Sequence, residues 1–547
     1  MFVRRPLSLV AGACLAIASA CGGDAPSAGA GGRAAPRPNV VLISIDTLRA
    51  DHLSCYGYAR ATSPHVDALA AEGALFERAW STTSWTLPAH LSMLTGEHIS
   101  AHGVCDDRLW DVVGKPGGPP ALPLCGTFLP ELLRAAGYRT GGFYSWKYLE
   151  PRFGFGPGFE VYERIGHSVY SHPEHAQKFD ALRAAGDKAA LEEWRAREPK
   201  LFDDQRPTAG ETVDAALAWL DTVAQSSARA SDPFFLFVHL FDVHDAYRPP
   251  PPFDAKFTDP AYAGPITGDQ VSSPKSLVVP GMAAADLAQL VALYDGEIAW
   301  VDTQVQRVLD ALSARGIADD TLVILTSDHG EEFFEHGHKT HRTQLHPESL
   351  RVPLVMRWPG RIAPKTRVAG NAGLVDIVPT LCELLDLAVP KAVSGTSLAS
   401  ALTSGRIDAD RDVLGELFCF EPPGSAPVRK LSLVRGDEQV LIEVDPGGAR
   451  RALRHDLAAD PLGRGPGEPL AVGSAEERAL GARLAALRVR IAALRCPPSD
   501  RRGEARELSA SERDELSKVG YGQGAKVTEL SGQLDRLCLD GCVWPDK

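Results

Sequence analysis

The chain has 547 residues, of which 44% are hydrophobic and 23% carry a charge. Because a chain of this size and composition can bury a large core, an intrinsically disordered protein is excluded. The formal net charge of −13 at pH 7 argues against broad nucleic-acid binding, which requires basic surfaces. We therefore expect a globular, enzyme-sized protein that attracts an anionic ligand only locally.

The first twenty residues have the pattern of an export signal. Arg4 and Arg5 precede an apolar segment from Leu7 to Ala20. Ala18-Ser19-Ala20-Cys21 resembles a bacterial lipobox, which implies a lipidated Cys21 and a lipoprotein of the cell envelope, anchored at the outer membrane. Two alternatives are a plain secretory signal cut near Ala20 and a short membrane anchor, which the length of the segment disfavours.

Next in the chain are an apolar strand and a short helix. The run Asn39–Ile45 is typical of a buried parallel strand, and it ends at Asp46. The segment 64–73 predicts a helix with Ser63 as its N-cap and Gly73 at its end. Alternation of this kind predicts an α/β fold with a mostly parallel sheet between helices, in which ligands bind at the carboxyl ends of the strands.

Thr86 stands at the predicted start of the next helix. Leu87 is biased toward extended geometry by Pro88, and Pro88 is tolerated in a first helical turn. The Thr86 hydroxyl then lies beside the positive end of the helix, where an anion is stabilised. It is either a nucleophile or, as is common for threonine at this place, only a cap.

A second apolar strand, residues 321–326, runs into Asp328 and His329. Because the carboxyl ends of parallel strands meet at one edge of a sheet, these two side chains and Asp46 form a candidate metal site. Alternatively, Asp46 caps a helix and Asp328 is a turn residue.

Three further side chains are candidates for the site. His244 follows a strongly apolar strand, and His341 lies in the histidine-rich loop 335–341. These two histidines either bind a second metal or protonate a leaving oxygen. Lys147 either contacts the anion or is simply an exposed lysine.

The C-terminal part has a different pattern. From about residue 411 it predicts hairpins at 430–435 and 439–444 and a helix at 475–495 that packs on the body. Residues 171–210 predict a helical insertion at the rim of the pocket. The predicted organisation is a signal peptide (1–20), a flexible tether (21–38), a catalytic domain (39–410) and a smaller antiparallel C-terminal subdomain (411–547).

Ten cysteines fit an exported protein. We predict that Cys105 pairs with Cys125 and that Cys496 pairs with Cys538 or Cys542. Cys55 and Cys382 are expected to be buried thiols, their commonest state.

Several of these segments together resemble the sulfatase family of the alkaline phosphatase superfamily. The resemblance rests on the segments 39–50, 86–96, 234–247, 294–302, 327–330, 351–360 and 455–461. It implies the α/β fold of that superfamily, a divalent metal, and hydrolysis of sulfate or phosphate esters.

The chain departs from the sulfatase pattern at the positions that carry the chemistry. Sulfatases of this family have Cys or Ser where this chain has Thr86, and oxidise it to formylglycine, an aldehyde that threonine cannot form. Thr47 replaces the second aspartate after the first strand, and His90 replaces an arginine. The expected lysine falls near His341 or Arg342, so Arg342 becomes a candidate substrate contact. These changes resemble the Thr-nucleophile members of the superfamily, phosphodiesterases and phosphoethanolamine transferases.

The ligand set favours particular metals and a particular reaction. Asp46, Asp328, His329 and Thr86 offer three oxygens and one nitrogen, which suits Zn²⁺ or Mn²⁺, with Ca²⁺ possible. We expect Thr86 to attack a phosphate or sulfate ester, with His90, His244 and His341 as catalytic residues. The alternatives are a phospho-headgroup transferase and a lipoprotein that keeps this fold as a binding module without turnover. The oligomeric state is left open by the sequence.

Overall fold

A mostly parallel sheet forms the centre of the computed structural model. The structure describes residues 37–104, 128–166, 173–202, 208–225, 232–269, 271, 276–419, 428–445, 447 and 449–494. Contacts divide the chain into Met1–Arg37 and Pro38–Lys547, and every element below belongs to the second unit.

The first eleven strands lie in this sheet, except for β7 and β8, which pair with each other. Within the described residues the order across the sheet is β11-β2-β10-β6-β1-β5-β3-β4, with β9 beside β2, and β10 and β9 run antiparallel to their neighbours. The strands are β1 Asn39–Ile45, β2 Ala74–Trp80, β3 Arg139–Tyr144, β4 Val161–Arg164, β5 Phe234–Leu240, β6 Thr321–Ser327, β7 Glu332–Phe333, β8 Lys339–Thr340, β9 Arg351–Val352, β10 Leu354–Arg357 and β11 Thr366–Gly373.

Helices cover both faces of the sheet. The described helices are α1 Pro64–Glu72, α2 Thr86–Thr95, α3 Ile99–His102, α4 Leu129–Ala135, α5 Pro173–Ala184, α6 Lys188–Arg197, α7 Ala209–Gln225, α8 Ala284–Ala314, α9 Pro347–Leu350, α10 Ile377–Leu384, α11 Ala399–Ser404 and α12 Ala475–Ala492.

Strand β1 shows why two hydrophobic cores form. Successive side chains of a strand point to opposite faces. Val40 and Leu42 therefore pack in the core that contains α2, α4 and α10, whereas Val41 and Ile43 pack with α1, α7 and α8. Burial of apolar side chains on both faces stabilises the sheet. The predicted α/β fold is confirmed.

Helix α1 confirms the predicted helix over 64–73 with Ser63 at the N-cap position, but the side chain of Ser63 does not cap it. Gly73 ends the helix, and Val66 is buried on its inner face. The Ser63 hydroxyl makes no capping bond to the backbone. Its oxygen accepts from the Ser54 amide at 3.0 Å, and its hydroxyl donates to Asp67 Oδ1 at 2.9 Å, so an amide outside the helix takes the place of the capping bond.

A smaller antiparallel sheet follows, as predicted. Its strands pair in chain order, and Arg435 lies opposite Glu438 at the predicted hairpin. Leu480, Leu484 and Leu487 of α12 pack on this sheet, in one cluster with Val440. The strands are β12 Val413–Cys419, β13 Val428–Arg435, β14 Glu438–Val444, β15 Arg450–Asp456 and β16 Glu468–Pro469.

The remaining predictions have mixed outcomes. Residues 171–210 contain α5 and α6, so the predicted helices are present; their place at a pocket rim stays a prediction, as do the domain boundaries. Cys382 is a buried free thiol, as predicted, whereas the free thiol of Cys55 is only partly buried. The export segment with Cys21, and the cysteines predicted to pair, Cys105, Cys125, Cys496, Cys538 and Cys542, lie outside the described residues.

None of the helices in the described ranges is both long and apolar enough to cross a bilayer.

Candidate active site

The register of two neighbouring strands brings the predicted acidic residues together. β1 and β6 are parallel, and Ile45 lies opposite Ser327, so Asp46 and Asp328 follow at the same edge of the sheet. Both carboxylates are fully buried. The Nε2 atom of His329 lies 3.4 Å from Asp328 Oδ2 and 3.7 Å from Asp46 Oδ1. The structure thus places the three predicted metal ligands in one cluster.

This cluster fits a divalent cation. Asp46 Oδ1 and Asp328 Oδ2 are buried, and neither has a hydrogen-bond partner among the described residues. One ligand atom from each of the three residues lies within 4.8 Å of the others. His329 Nδ1 donates to the Gly330 carbonyl at 2.9 Å, which leaves the Nε2 lone pair facing the carboxylates.

The charges of the cluster also call for a cation. Burial raises the pKa of Asp46. Burial, and then the neighbouring charge of Asp46, raises the pKa of Asp328 to about 7. Burial lowers the pKa of His329 to about 3, so this imidazole does not neutralise them. Two adjacent buried carboxylates are costly without a positive partner.

Thr86 is the first residue of α2, and its hydroxyl touches the cluster. Oγ1 lies 3.5 Å from Asp46 Oδ2 and 3.4 Å from His329 Nε2. Trp85 before it is extended, so the helix begins at the threonine, and its hydroxyl belongs to the first turn, where the helix dipole is positive. The structure therefore puts the predicted nucleophile next to the predicted metal ligands.

His90 lies one turn further along α2, and both of its ring nitrogens are engaged. Nδ1 donates to the Thr86 carbonyl at 2.9 Å, and Nε2 accepts from the Ser44 hydroxyl at 2.9 Å. Burial lowers the pKa of His90 to about 4, so the imidazole is neutral. These bonds tie the start of α2 to β1, which favours a positioning role for His90. Its predicted catalytic role stays a prediction.

Thr47 stands where the sulfatase pattern has an aspartate, and its side chain bonds to a backbone carbonyl. Its hydroxyl donates to the Val243 carbonyl at 2.8 Å, and its φ of 53° lies in the left-handed region. Thr47 thus ties the turn after β1 to the segment that carries His244.

His244 and His341 stand together in the wall of the site. Their ring centroids are 4.9 Å apart, and that of His341 is 4.6 Å from His329. Burial lowers the pKa of His244, but nearby carboxylates, of which Asp245 has the largest effect, outweigh burial and raise it above its usual value. Burial, and then the charge of His244, lowers the pKa of His341 to about 3. The environments of the two histidines thus favour opposite protonation states.

The two predicted cationic contacts lie against aromatic rings. Lys147 is buried, and its ammonium group lies 4.7 Å from the ring centre of Trp146. The guanidinium of Arg342 lies 4.1 Å from the ring centre of Trp85, the residue before Thr86. Their roles as substrate contacts stay predictions.

Sequence reasoning missed two buried residues of this site. His239 in β5 places Nε2 3.3 Å from Asp46 Oδ2 and packs edge-on against His90, with ring centroids 5.0 Å apart. Glu331 accepts a bond from His341. The only signal for His239 is a histidine inside an otherwise apolar strand; Glu331 had no signal beyond its position two residues after His329.

Comparisons with known proteins agree with this geometry. The family model described as "Sulfatase" matches residues 38–387. The chain belongs to the sulfatase family. This family lies in the alkaline phosphatase superfamily, and its members are ester hydrolases that use a divalent metal. A second family model, described as "N-sulphoglucosamine sulphohydrolase, C-terminal", matches residues 334–462 of this sulfatase-family chain.

Individual relatives cover most of the chain. An ulvan-active sulfatase of Formosa agariphila is 27% identical over 69% of this chain and 67% of its own length. The multifunctional alkaline phosphatase superfamily protein PehA of Trinickia caryophylli is 26% identical over 78% of this chain and 90% of its own. The crystal structure of the phosphonate monoester hydrolase of Agrobacterium radiobacter, 24% identical, has a TM-score of 0.60 and covers 83% of this chain and 96% of its own. This last likeness shows the shared fold.

Proposed function

We propose that this sulfatase-family protein is an exported hydrolase that cleaves phosphodiesters or phosphonate esters through Thr86, in preference to sulfate esters. The observation that carries the proposal is the position of Thr86 Oγ1, between Asp46 Oδ2 and His329 Nε2 at the start of α2. A hydroxyl in such a place can attack an anionic ester that is held by the helix amides and the metal.

Asp46, Asp328 and His329 would hold the cation, for which Zn²⁺ or Mn²⁺ suits the oxygen and nitrogen donors best. When bound, it supplies positive charge that stabilises the Thr86 oxygen as a nucleophile and the oxygens of the ester.

The residues of the chain divide the reaction into two displacements. In the first, the Thr86 hydroxyl loses its proton to solvent water, Oγ1 bonds to phosphorus, and the bond from phosphorus to the ester oxygen breaks. The leaving oxygen takes a proton, which the donor then regains from solvent. His244 is placed to supply it, because Nδ1 donates to the Asp245 carbonyl at 2.6 Å and lies 3.3 Å from the Asp245 carboxylate, which stabilises the imidazolium form. In the second, water displaces Thr86 from phosphorus.

Threonine decides between phosphate and sulfate. A formylglycine hydrate can release sulfate by collapsing to the aldehyde, and threonine has no such route. A sulfated Thr86 would need attack of water at sulfur, whereas a phosphorylated Thr86 allows in-line attack at phosphorus, which is the easier step. The buried set of Asp46, Asp328 and His329 also argues against a binding module without turnover.

The test compares bis(4-nitrophenyl) phosphate, 4-nitrophenyl phenylphosphonate and 4-nitrophenyl sulfate with purified protein loaded with Zn²⁺ or Mn²⁺. We expect the two phosphorus esters to react faster, and Thr86→Ala to lose on the order of a thousandfold in rate. Thr95→Ala is the matched control, because this threonine lies at the other end of the same helix and donates to the Leu91 carbonyl. Faster sulfate cleavage, or activity that survives Thr86→Ala, would overturn the proposal. Product transfer to an added amino alcohol would indicate the transferase instead.

A further inference from the structure

Glu331 is a fully buried carboxylate that connects two residues of the candidate site. One oxygen, Oε1, accepts from His341 Nδ1 at 3.0 Å, and the other, Oε2, accepts from the Tyr247 hydroxyl at 2.9 Å. Its backbone is held as well, because the amide donates to the Glu348 carbonyl and the carbonyl accepts from Arg49 Nη1, both at 3.0 Å. The carboxylate therefore has little freedom to turn away.

With Glu331 ionised, these bonds select one tautomer of His341. An ionised carboxylate can only accept hydrogen bonds, so Glu331 accepts from the Tyr247 hydroxyl on one oxygen and from Nδ1–H of His341 on the other. The neutral imidazole of His341 then carries its lone pair on Nε2. This atom makes no hydrogen bond with any residue of the described part, and the ring lies beside His329 and His244.

We propose that Tyr247 and Glu331 position His341 to accept a proton from the water of the second displacement. This water hydrolyses the phosphoester of Thr86 that the first displacement forms, which is called modified Thr86 below. The inference rests on the proposed function. In this step the water oxygen bonds to phosphorus and the bond from phosphorus to Thr86 Oγ1 breaks, with its electron pair leaving on Oγ1. The water proton passes to His341 Nε2, and it finally restores the Thr86 hydroxyl. Glu331 orients the ring and stabilises the imidazolium that forms, as carboxylates do for catalytic histidines elsewhere.

Glu332, the next residue and the first of β7, is an example of a carboxylate with a purely structural role. Glu332 is also buried, and it accepts from Thr343 Oγ1 at 3.0 Å, from Gln344 Nε2 at 2.8 Å and from Ser349 Oγ at 2.8 Å. Its carboxylate forms no hydrogen bond or ion pair with a histidine in the part that the structure describes. Glu332 already anchors the loop, so the bond from Glu331 to His341 is not needed for that purpose. Glu332 is therefore the matched control.

The experiment separates the two displacements with bis(4-nitrophenyl) phosphate and the full-length, metal-loaded protein. Stopped-flow absorbance measures the first turnover and the steady state, and mass spectrometry of the quenched protein measures modified Thr86. We expect Glu331→Gln to change the rate of the first turnover by no more than a few-fold. The steady-state rate should fall on the order of a hundredfold, which is the contribution of a positioned general base. Tyr247→Phe should slow it about tenfold, which corresponds to one lost hydrogen bond. In both variants modified Thr86 should accumulate.

The measurements distinguish the control variant, a failure of this inference and a failure of the proposed function. Glu332→Gln should change both phases in the same proportion and should not accumulate modified Thr86. If Glu331→Gln and Tyr247→Phe lower both phases equally, without accumulation, Glu331 is structural and this inference is wrong, although the role of Thr86 stands. If the wild-type protein never carries a modified Thr86 and Thr86→Ala turns over normally, the proposed function itself fails. Should Glu331→Gln not fold, Tyr247→Phe decides alone, because it removes a single hydroxyl.

Discussion

Replacement of Asp328 by asparagine should make the metal-free protein more stable at alkaline pH. The carboxyl of Asp328 is fully buried beside Asp46, and its pKa is raised from the usual 3.8 to about 7. A group with a raised pKa contributes stability that is present below its unfolded pKa and is lost as the pH rises through its folded pKa. The full loss corresponds to about 4 kcal/mol, and about 3 kcal/mol of it falls between pH 5 and pH 8. Asparagine keeps the shape but cannot ionise.

Urea unfolding, followed by circular dichroism in EDTA, gives the difference in unfolding free energy between wild type and Asp328→Asn at pH 5 and at pH 8. We expect this difference to move by about 3 kcal/mol in favour of the variant. Metal at a hundredfold excess over its Kd should stabilise the wild type by about 2.7 kcal/mol, and Asp328→Asn much less. Asp319→Asn is the control, since its side chain is 90% exposed. A difference that is the same at both pH values, or equal stabilisation of Asp328→Asn by metal, would refute the reasoning.

Two further predictions concern the turn after β6 and the export segment. A Cβ atom on Gly330 would lie 2.0 Å from the Glu348 carbonyl oxygen. Gly330→Ala should therefore lower the free energy of unfolding, measured by urea titration, by about 1–3 kcal/mol and weaken metal binding through the neighbouring His329. The control is Gly210→Ala in a helix, whose Cβ would meet atoms no closer than 3.4 Å, so this variant should be neutral or stabilising in the same titration. Cys21→Ser should abolish lipidation and release the protein from membranes, because two or more acyl chains are needed for stable anchoring. Cell fractionation and mass spectrometry of the mature N-terminus measure these two effects. Unchanged membrane association of the variant would contradict the lipoprotein prediction.

The residues of the candidate metal site could be predicted because they depend on local rules. Apolar runs of strand length identify β1 and β6, and the residue after each strand lies at the carboxyl edge whatever the rest of the chain does. Asp46, Asp328 and His329 were found in this way, and Thr86 was found from the helix signal of Pro88.

Other contacts could not be predicted, because they depend on strand register and loop path. His239 reaches Asp46 only because β5 pairs with β1 so that His239 lies opposite Ser44. The Ser44 hydroxyl itself donates to His90 Nε2, a contact that also depends on where α2 packs against β1. The missing side-chain bond of the Ser63 cap has a similar cause, since the amide of Ser54 donates to its oxygen and its hydroxyl donates to Asp67.

By itself the sequence determined the layered α/β fold, the edge of the sheet at which the candidate site lies, and the presence of a threonine at the start of the helix beside it. Periodicity and strand ends are short-range properties, so they can be read along the chain. Only the tertiary structure decided which buried groups face one another: Glu331 with His341 and Tyr247, and Glu332 with the loop. Two adjacent glutamates have identical chemistry in the sequence. They have different contacts because their side chains leave the backbone in different directions, and because partners brought from distant segments determine what each carboxylate binds.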